Sequence, residues 1–130
     1  MSNAKVQMQP DRWAALRESF MRHALPWRLG ELCAGLSSAR SWAKHDNCQQ
    51  TVKMYLDECA HFIEWLTPDI QPPWQTDLAE LKQELADWLT DWPTIWENAE
   101  QRDAIVAQAG VWSDKFLQHS GLLDPEINPR

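Results

Sequence analysis

Apolar residues recur at intervals of three and four along nearly the whole chain, and this spacing restricts the fold more than any other feature. The stretch from about 76 to 92 is the clearest example, because its apolar side chains fall on one face of a helix: Leu78, Leu81, Leu85, Trp88, Leu89 and Trp92. No stretch shows the period-two alternation of a half-buried strand. The sequence therefore predicts an all-α protein, an antiparallel four- to five-helix bundle with a long C-terminal helix.

Prolines divide this periodic sequence into separate helices. We expect helices over about 10–25, 26–45, 48–67, 76–92 and 94–119. Pro26, Pro68 and Pro93 mark the corners between them. The first two helices could instead form one helix kinked at Pro26.

Capping patterns refine these boundaries. Capping boxes are predicted at Asn47/Gln50, Asp77/Glu80 and Thr94/Glu97, and Gly121 is the expected terminator of the last helix. The segment 68–75, PDIQPPWQ, is predicted to be the only substantial loop. Small residues crowd the second helix and predict a closely approaching neighbour: Gly30, Ala34, Gly35, Ser37 and Ser38.

Length and composition indicate one globular domain. With 130 residues, 44% of them hydrophobic and 24% charged, the chain can bury a real core. We expect a disordered N-terminal tail over 1–9, a single helical bundle domain over 10–123 and a loose C-terminal tail over 124–130.

Charge and cysteine usage restrict the partners and the compartment. The net charge of −7, with no basic run, argues against nucleic-acid binding. No window of the sequence is apolar enough to span a membrane, and residues 1–10 lack the apolar region of a secretory signal. Cys33, Cys48 and Cys59 have no CxxC spacing, so reduced thiols in a cytoplasmic protein are expected.

Metal and cofactor chemistry find little support in the sequence. Glu58 and His61 form one E-x-x-H pair, but a dimetal bundle needs two such pairs and further carboxylates. A helical projection places His61 toward water. We expect no metal and no cofactor, and the sequence favours a protein that is not an enzyme over an enzyme.

One short pattern keeps an enzymatic alternative open. Arg40 and His45 match the R-x4-H spacing of the HEPN ribonucleases, a family of small helical domains. The two residues project from different sides of a helix, and the acidic composition does not suit RNA. A HEPN-like ribonuclease therefore remains only an alternative function.

Two arginines, Arg40 and Arg102, lie within apolar stripes. An arginine in this position must extend to solvent, pair with a carboxylate or bind an anion. The favoured interpretation is an ion pair between helices, with Glu58 as the expected partner of Arg40. The alternative is a site for an anionic ligand.

Nine tryptophans, far more than ordinary usage, supply aromatic bulk that suits either a core or a partner surface. Trp13 and Trp88 are predicted core residues, and Trp92 and Trp96 are expected to cluster beside Pro93. The remaining rings lie at stripe edges or in the predicted loop: Trp27, Trp42, Trp65, Trp74 and Trp112. Each edge ring is expected to cover the core, but the group predicts an interaction surface.

The runs ECAHFIEWLTPD (58–69) and WSDKFLQHSGLL (112–123) resemble a family of small, all-helical conserved proteins of cyanobacteria. The resemblance covers about residues 25–123 and contains no mechanistic motif. It therefore implies a bacterial cytosolic setting and assigns no functional residues.

Taken together, these patterns favour a non-enzymatic interaction or assembly module whose partner is another protein or a second copy of the chain. Its candidate contact residues are the edge and joint tryptophans and the two arginines: Trp27, Trp42, Trp65, Trp74, Trp92, Trp96, Trp112, Arg40 and Arg102. The second hypothesis is a small-molecule binder with a Trp-lined pocket between helices.

Overall fold

A computed structural model describes residues 9–120 of the chain, with side chains over 12–118. These residues form six α-helices: α1, Gln9–Met21; α2, Leu25–Trp42; α3, Gln49–Leu66; α4, Pro72–Thr90; α5, Trp92–Glu97; and α6, Ala99–Ser120. A 3-10 turn, Thr67–Asp69, follows α3, and the described part of the chain contains no strand. The predicted all-α bundle with a long C-terminal helix is confirmed.

The predicted tails lie almost wholly outside the described residues. Of the N-terminal tail predicted over 1–9, only Gln9 is described, and α1 begins there. The predicted C-terminal tail over 124–130 and the predicted terminator Gly121 both lie outside.

Four long helices surround one core. α2 packs between α3 and α6, and α3 also packs against α4. Side chains of α6 also reach α4, since Lys115 Nζ lies 3.1 Å from an Asp77 carboxylate oxygen. The helices α2, α3, α4 and α6 therefore form a closed arrangement, which we call the ring. The leucines at the centre have no exposed surface: Leu32, Leu36, Leu56, Leu66, Leu78, Leu81 and Leu85. Burying each leucine side chain contributes about 1.5–3 kcal/mol, so this group of leucines is the main source of stability.

Glycines allow α2 to approach both of its neighbours. A Cβ atom at Gly35 would lie only 2.8 Å from Cys59 Sγ on α3. A Cβ atom at Gly110 of α6 would lie 3.1 Å from Arg40 Nη1 on α2. The close approach that the small residues of α2 predict is therefore present at both interfaces.

α1 lies outside this ring and packs on α3. The Trp13 ring stacks on His61 with 3.8 Å between centroids, and Phe20 stacks on Phe62 at 4.6 Å. His61 is half-buried, so the expectation that it faces water is wrong. The helical projection of α3 placed His61 on the side away from the core. It could not show that α1 covers this side of α3.

The start of α4 differs from the prediction. Pro72 and Pro73 form its first turn, where a missing backbone N–H leaves no bond unmade. Trp74 therefore belongs to a helix and not to a loop. The loop predicted over 68–75 is wrong for most of its length, since only Ile70 and Gln71 lie between the 3-10 turn and α4.

The predicted capping boxes are also wrong. The N-cap residues of α3, α4 and α5 are Cys48, Gln71 and Asp91, and none of the three makes a side-chain capping bond. The helix predicted over 94–119 is interrupted at Asn98, whose backbone is extended. Asn98 Oδ1 accepts the backbone N–H of Gln101 at 3.0 Å, so it caps the start of α6.

The corner between α1 and α2 lies where Pro26 predicts it. Pro26 lies in the first turn of α2, and residues 22–24 separate α1 from α2. The two are separate helices and not one kinked helix. α2 ends at Trp42, a little before the predicted end near 45.

Candidate functional site

The structure divides the nine tryptophans into three groups by burial. Trp65, Trp92, Trp96 and Trp112 are buried, and Trp13, Trp74 and Trp88 are half-buried. Trp27 and Trp42 retain 55% and 42% of their surface in water. These last two are the exposed tryptophans of the chain.

The buried rings of α5 and α6 are held by hydrogen bonds from their indole N–H groups. Trp92 Nε1 donates to the Gln49 carbonyl at 3.1 Å, and Trp96 Nε1 donates to the Asp46 carbonyl at 3.3 Å. Trp112 Nε1 donates to the Glu84 carboxylate at 3.1 Å. These bonds join the indole groups of α5 and α6 to α3, to the turn before α3 and to α4, so the three tryptophans hold neighbouring elements together.

The joint beside Pro93 contains the predicted aromatic pair. The Trp92 and Trp96 rings lie 5.7 Å apart in a tilted arrangement. Trp65 contacts Phe20 and Phe62 in a second cluster, at 5.6 and 6.0 Å. Both clusters lie within the core.

Trp74 lines a small cavity where α2, α4 and α6 meet. Its volume is about 210 Å³, and Leu25, Leu29, Ile70 and Phe116 are among its walls. The cavity has apolar walls and is smaller than most ligand sites, which hold about 300 Å³ or more.

Arg102 has partners within the protein on two sides. Its guanidinium lies 3.3 Å from the Asp46 carboxylate and donates to the Trp96 carbonyl at 3.3 Å. It also lies 4.7 Å from the centre of the Trp96 ring, a cation–π geometry. These contacts make Arg102 a structural link between α6 and the turn before α3.

The predicted pairing of Arg40 with Glu58 is wrong. Glu58 pairs instead with Arg12 of α1, at 2.7 Å. The Arg40 guanidinium lies over Gly110 of α6, and no carboxylate of residues 12–118 is within ion-pair distance. The helix that covers this edge of α3 carries its own arginine, which the periodicity of α3 could not indicate.

The two residues of the R-x4-H pattern contact different elements. Arg40 lies against α6, whereas the His45 ring lies 5.9 Å from the Trp42 ring in the turn after α2. Within the described part of the chain, neither residue has the other as a hydrogen-bond or ring partner.

Arg28 is a buried arginine that the spacing of apolar residues did not identify. Its guanidinium pairs with Asp69 at 2.8 Å and donates to the His23 carbonyl at 3.0 Å. Arg28 lies four residues before Leu32, in line with the apolar stripe of α2, and that position could have identified it. The contact ties α2 to the bend before it and to the 3-10 turn after α3.

The thiols are not arranged as a reactive or metal-binding group. Burial raises the pKa of Cys33 to about 12, with a further contribution from the nearby Asp114, and burial also raises the pKa of Cys59. All three cysteines are free. Among the described residues, no three His, Cys, Asp or Glu side chains converge as metal ligands.

The outward surface of α2 is short of charge. We call its exposed side chains the α2 outer face: Trp27, Glu31, Ala34, Ser37, Ser41 and Trp42. A groove of about 310 Å³ follows this face, with Gly30 and Ser113 also in its walls and Leu117 of α6 on the far side. We call it the α2–α6 groove.

A second groove lies between the end of α4 and the start of α6. Its volume is about 370 Å³, and we call it the α4–α6 groove. Its walls include Asp87, Trp88, Asp91, Ile95, Gln101 and Ile105. Neither Arg40 nor Arg102 lines either groove or the cavity beside Trp74.

No helix over residues 9–120 combines the length and the apolar character that a bilayer crossing requires. Comparison of the chain with protein-family models, with curated proteins and with solved structures finds no match.

Proposed function

We propose that this chain is a non-enzymatic interaction module that binds another protein, or a second copy of itself, through the α2 outer face. The observation that carries the proposal is the composition of this face: Glu31 is its one charged member, and two tryptophans stand at its ends. The outward stripe of a helix in a bundle ordinarily carries charged and polar side chains.

The α2–α6 groove supports the same surface. It lies between Trp27 and Leu117 and has room for an apolar side chain of a partner. Binding energy concentrates where an aromatic ring borders such a pocket, and tryptophan is among the residues enriched there. The small side chains of Gly30, Ala34 and Ser37 leave the groove floor open to close approach.

The anion-binding and ribonuclease alternatives rest on the arginines. Arg102 already pairs with Asp46, and Arg40 lies against Gly110, away from both grooves. No comparable observation among residues 12–118 favours either alternative over the interaction module.

The test compares two double variants that remove exposed apolar surface. Trp27→Ser/Trp42→Ser removes the rings of the α2 outer face. Met54→Ser/Val111→Ser is the matched control, since Met54 and Val111 are the other large exposed hydrophobic residues over 12–118. Native mass spectrometry of untagged protein isolated from its own cells measures the bound partner or second copy.

The expected result is a stoichiometric complex for the unmodified protein and the control. In the tryptophan variant we expect the complex to fall at least about tenfold, because two hot-spot rings are lost. A monomer without any partner at working concentration contradicts the proposal, and so does an equal loss in both variants. Similar melting temperatures for the two variants show that folding does not cause the difference.

A further inference from the structure

The α4–α6 groove combines an aromatic wall with a negative rim. Trp88, Ile95 and Ile105 form apolar walls, and Trp88 is half-buried. Asp87 and Asp91 are both exposed at the rim. No lysine or arginine lines the groove.

The two aspartates place negative charge at the rim without a cation to balance it. Asp87 lies in the last turn of α4, where the helix dipole is negative, and Asp91 is both the C-terminal cap of α4 and the N-cap residue of α5. Their spacing of four residues places two like charges on one side of the helix. The last turn has no basic residue, and no cation of residues 12–118 forms an ion pair with either aspartate.

Local hydrogen bonding offsets only part of this cost. Gln83 Nε2 donates to Asp87 Oδ1 at 3.0 Å, which leaves the charge of the carboxylate in place. Two like charges without a nearby cation leave a negative potential at the rim, which a positively charged group would relieve. The groove therefore favours a ligand that brings positive charge.

We propose that the α4–α6 groove binds a lysine or arginine side chain from a basic segment of a partner protein. The cationic group lies beside Asp87 and Asp91, and its methylene stem packs along Trp88 and Ile105. A cation near the face of an indole ring gains further attraction, and long cationic side chains bury their stems readily. The net charge of −7 favours the approach of such a segment.

This site is independent of the α2 outer face. The anion-binding hypothesis requires a negatively charged ligand held by arginines. The α4–α6 groove is lined by carboxylates and no arginine, so its expected ligand is positively charged. Either site can fail its test without affecting the other.

The test uses the full chain labelled with ¹⁵N and a short peptide of alternating lysine and glycine at low salt. Binding is measured from the shift of the Trp88 indole N–H signal. Asp87→Asn/Asp91→Asn removes the two rim charges. Asp103→Asn/Asp114→Asn is the control, since it changes net charge equally at exposed positions of α6 that do not line the groove.

We expect saturable shifts of the Trp88 signal and an affinity about three- to tenfold weaker in the Asp87/Asp91 variant, with the control close to the unmodified protein. The same Asp87/Asp91 variant should melt between the temperature of the unmodified protein and about 4 °C above it, because the repulsion between the two carboxylates is removed while asparagine remains a favourable N-cap residue for α5. Undiminished stability together with weaker binding separates a ligand site from a structural contact.

Three results would overturn the proposal. The Trp88 signal could fail to respond to the peptide. The two double variants could lose affinity equally, which would indicate only attraction to net charge. A peptide with acetylated lysines could bind as well as the charged peptide, which would mean that the groove recognises no cation.

Discussion

At the scale of single residues, Gly35 tests how closely α2 and α3 pack. A methyl group there would lie 2.8 Å from Cys59 Sγ, and Cys59 is fully buried. We expect Gly35→Ala to lower the free energy of unfolding by about 1–3 kcal/mol through overpacking, even though alanine favours helix by about 1 kcal/mol. Urea unfolding measures the change.

Two companion variants make this prediction specific. Gly110→Ala meets the far end of the Arg40 side chain at 3.1 Å, which can move, so its stability should stay within about 1 kcal/mol of the original. Gly35→Ala/Cys59→Ala removes the opposing sulfur and should recover part of the loss. If Gly35→Ala and Gly110→Ala are equally stable, the close packing of α2 on α3 does not restrict position 35.

The arginines show what a single sequence can predict about residues. Arg40 and Arg102 are both half-buried, but periodicity did not identify their partners. Glu58, the expected partner of Arg40, belongs to Arg12 because α1 covers that edge of α3. Partners depend on which helix lies alongside, and helical spacing within one segment contains no information on that choice.

At the scale of elements, α1 should be the least stable helix. It packs outside the ring, and α3 is the one long helix with which it makes extensive contact. Trp13 stacks on His61 near the start of this contact. We expect Trp13→Ala to speed amide hydrogen exchange in α1 about five- to tenfold while α2 and α3 stay protected, since one stacked pair contributes about 0.5–1.5 kcal/mol beyond burial.

Arg17→Ala is the control for α1, because Arg17 is exposed on the same helix. It should leave exchange in α1 nearly unchanged. Faster exchange in all helices of the Trp13→Ala variant would mean that α1 and the ring unfold together, against the separate opening that we expect.

Helix boundaries show why element prediction succeeded in some places and failed in others. Apolar spacing identified each long helix, because burial on one face requires that spacing. Turn chemistry was less decisive: Pro72 and Pro73 were compatible with a loop and with a first helical turn, and the structure uses the second. Asn98 ends α5 and caps α6 within a run whose apolar spacing continues through it.

At the scale of the whole molecule, the sequence predicts the class of fold and the buried faces better than the outer surfaces. The spacing of apolar residues predicts which face of each helix is buried. Which side of α2 stays exposed depends instead on the positions of its neighbours α3 and α6, which the spacing does not give. The walls of the α4–α6 groove likewise come from both sides of the break at Asn98, which apolar spacing did not indicate. Trp88, a predicted core residue, is half-buried and lines this groove.

One shared core implies that damage at distant positions of the ring should weaken the whole molecule together. Phe62 of α3 and Leu85 of α4 are both buried. We expect Phe62→Ala and Leu85→Ala each to cost about 2–5 kcal/mol through lost burial and cavity formation. In urea, each variant should shift the midpoint in a single transition with an unchanged slope, because the same surface is exposed on unfolding.

Met54→Ala is the control for this prediction. Its free energy of unfolding should stay within about 0.5 kcal/mol of the original, since Met54 is exposed. A transition in two steps for Leu85→Ala would instead mean that α4 can separate from α2, α3 and α6, and the four helices would then not share one core.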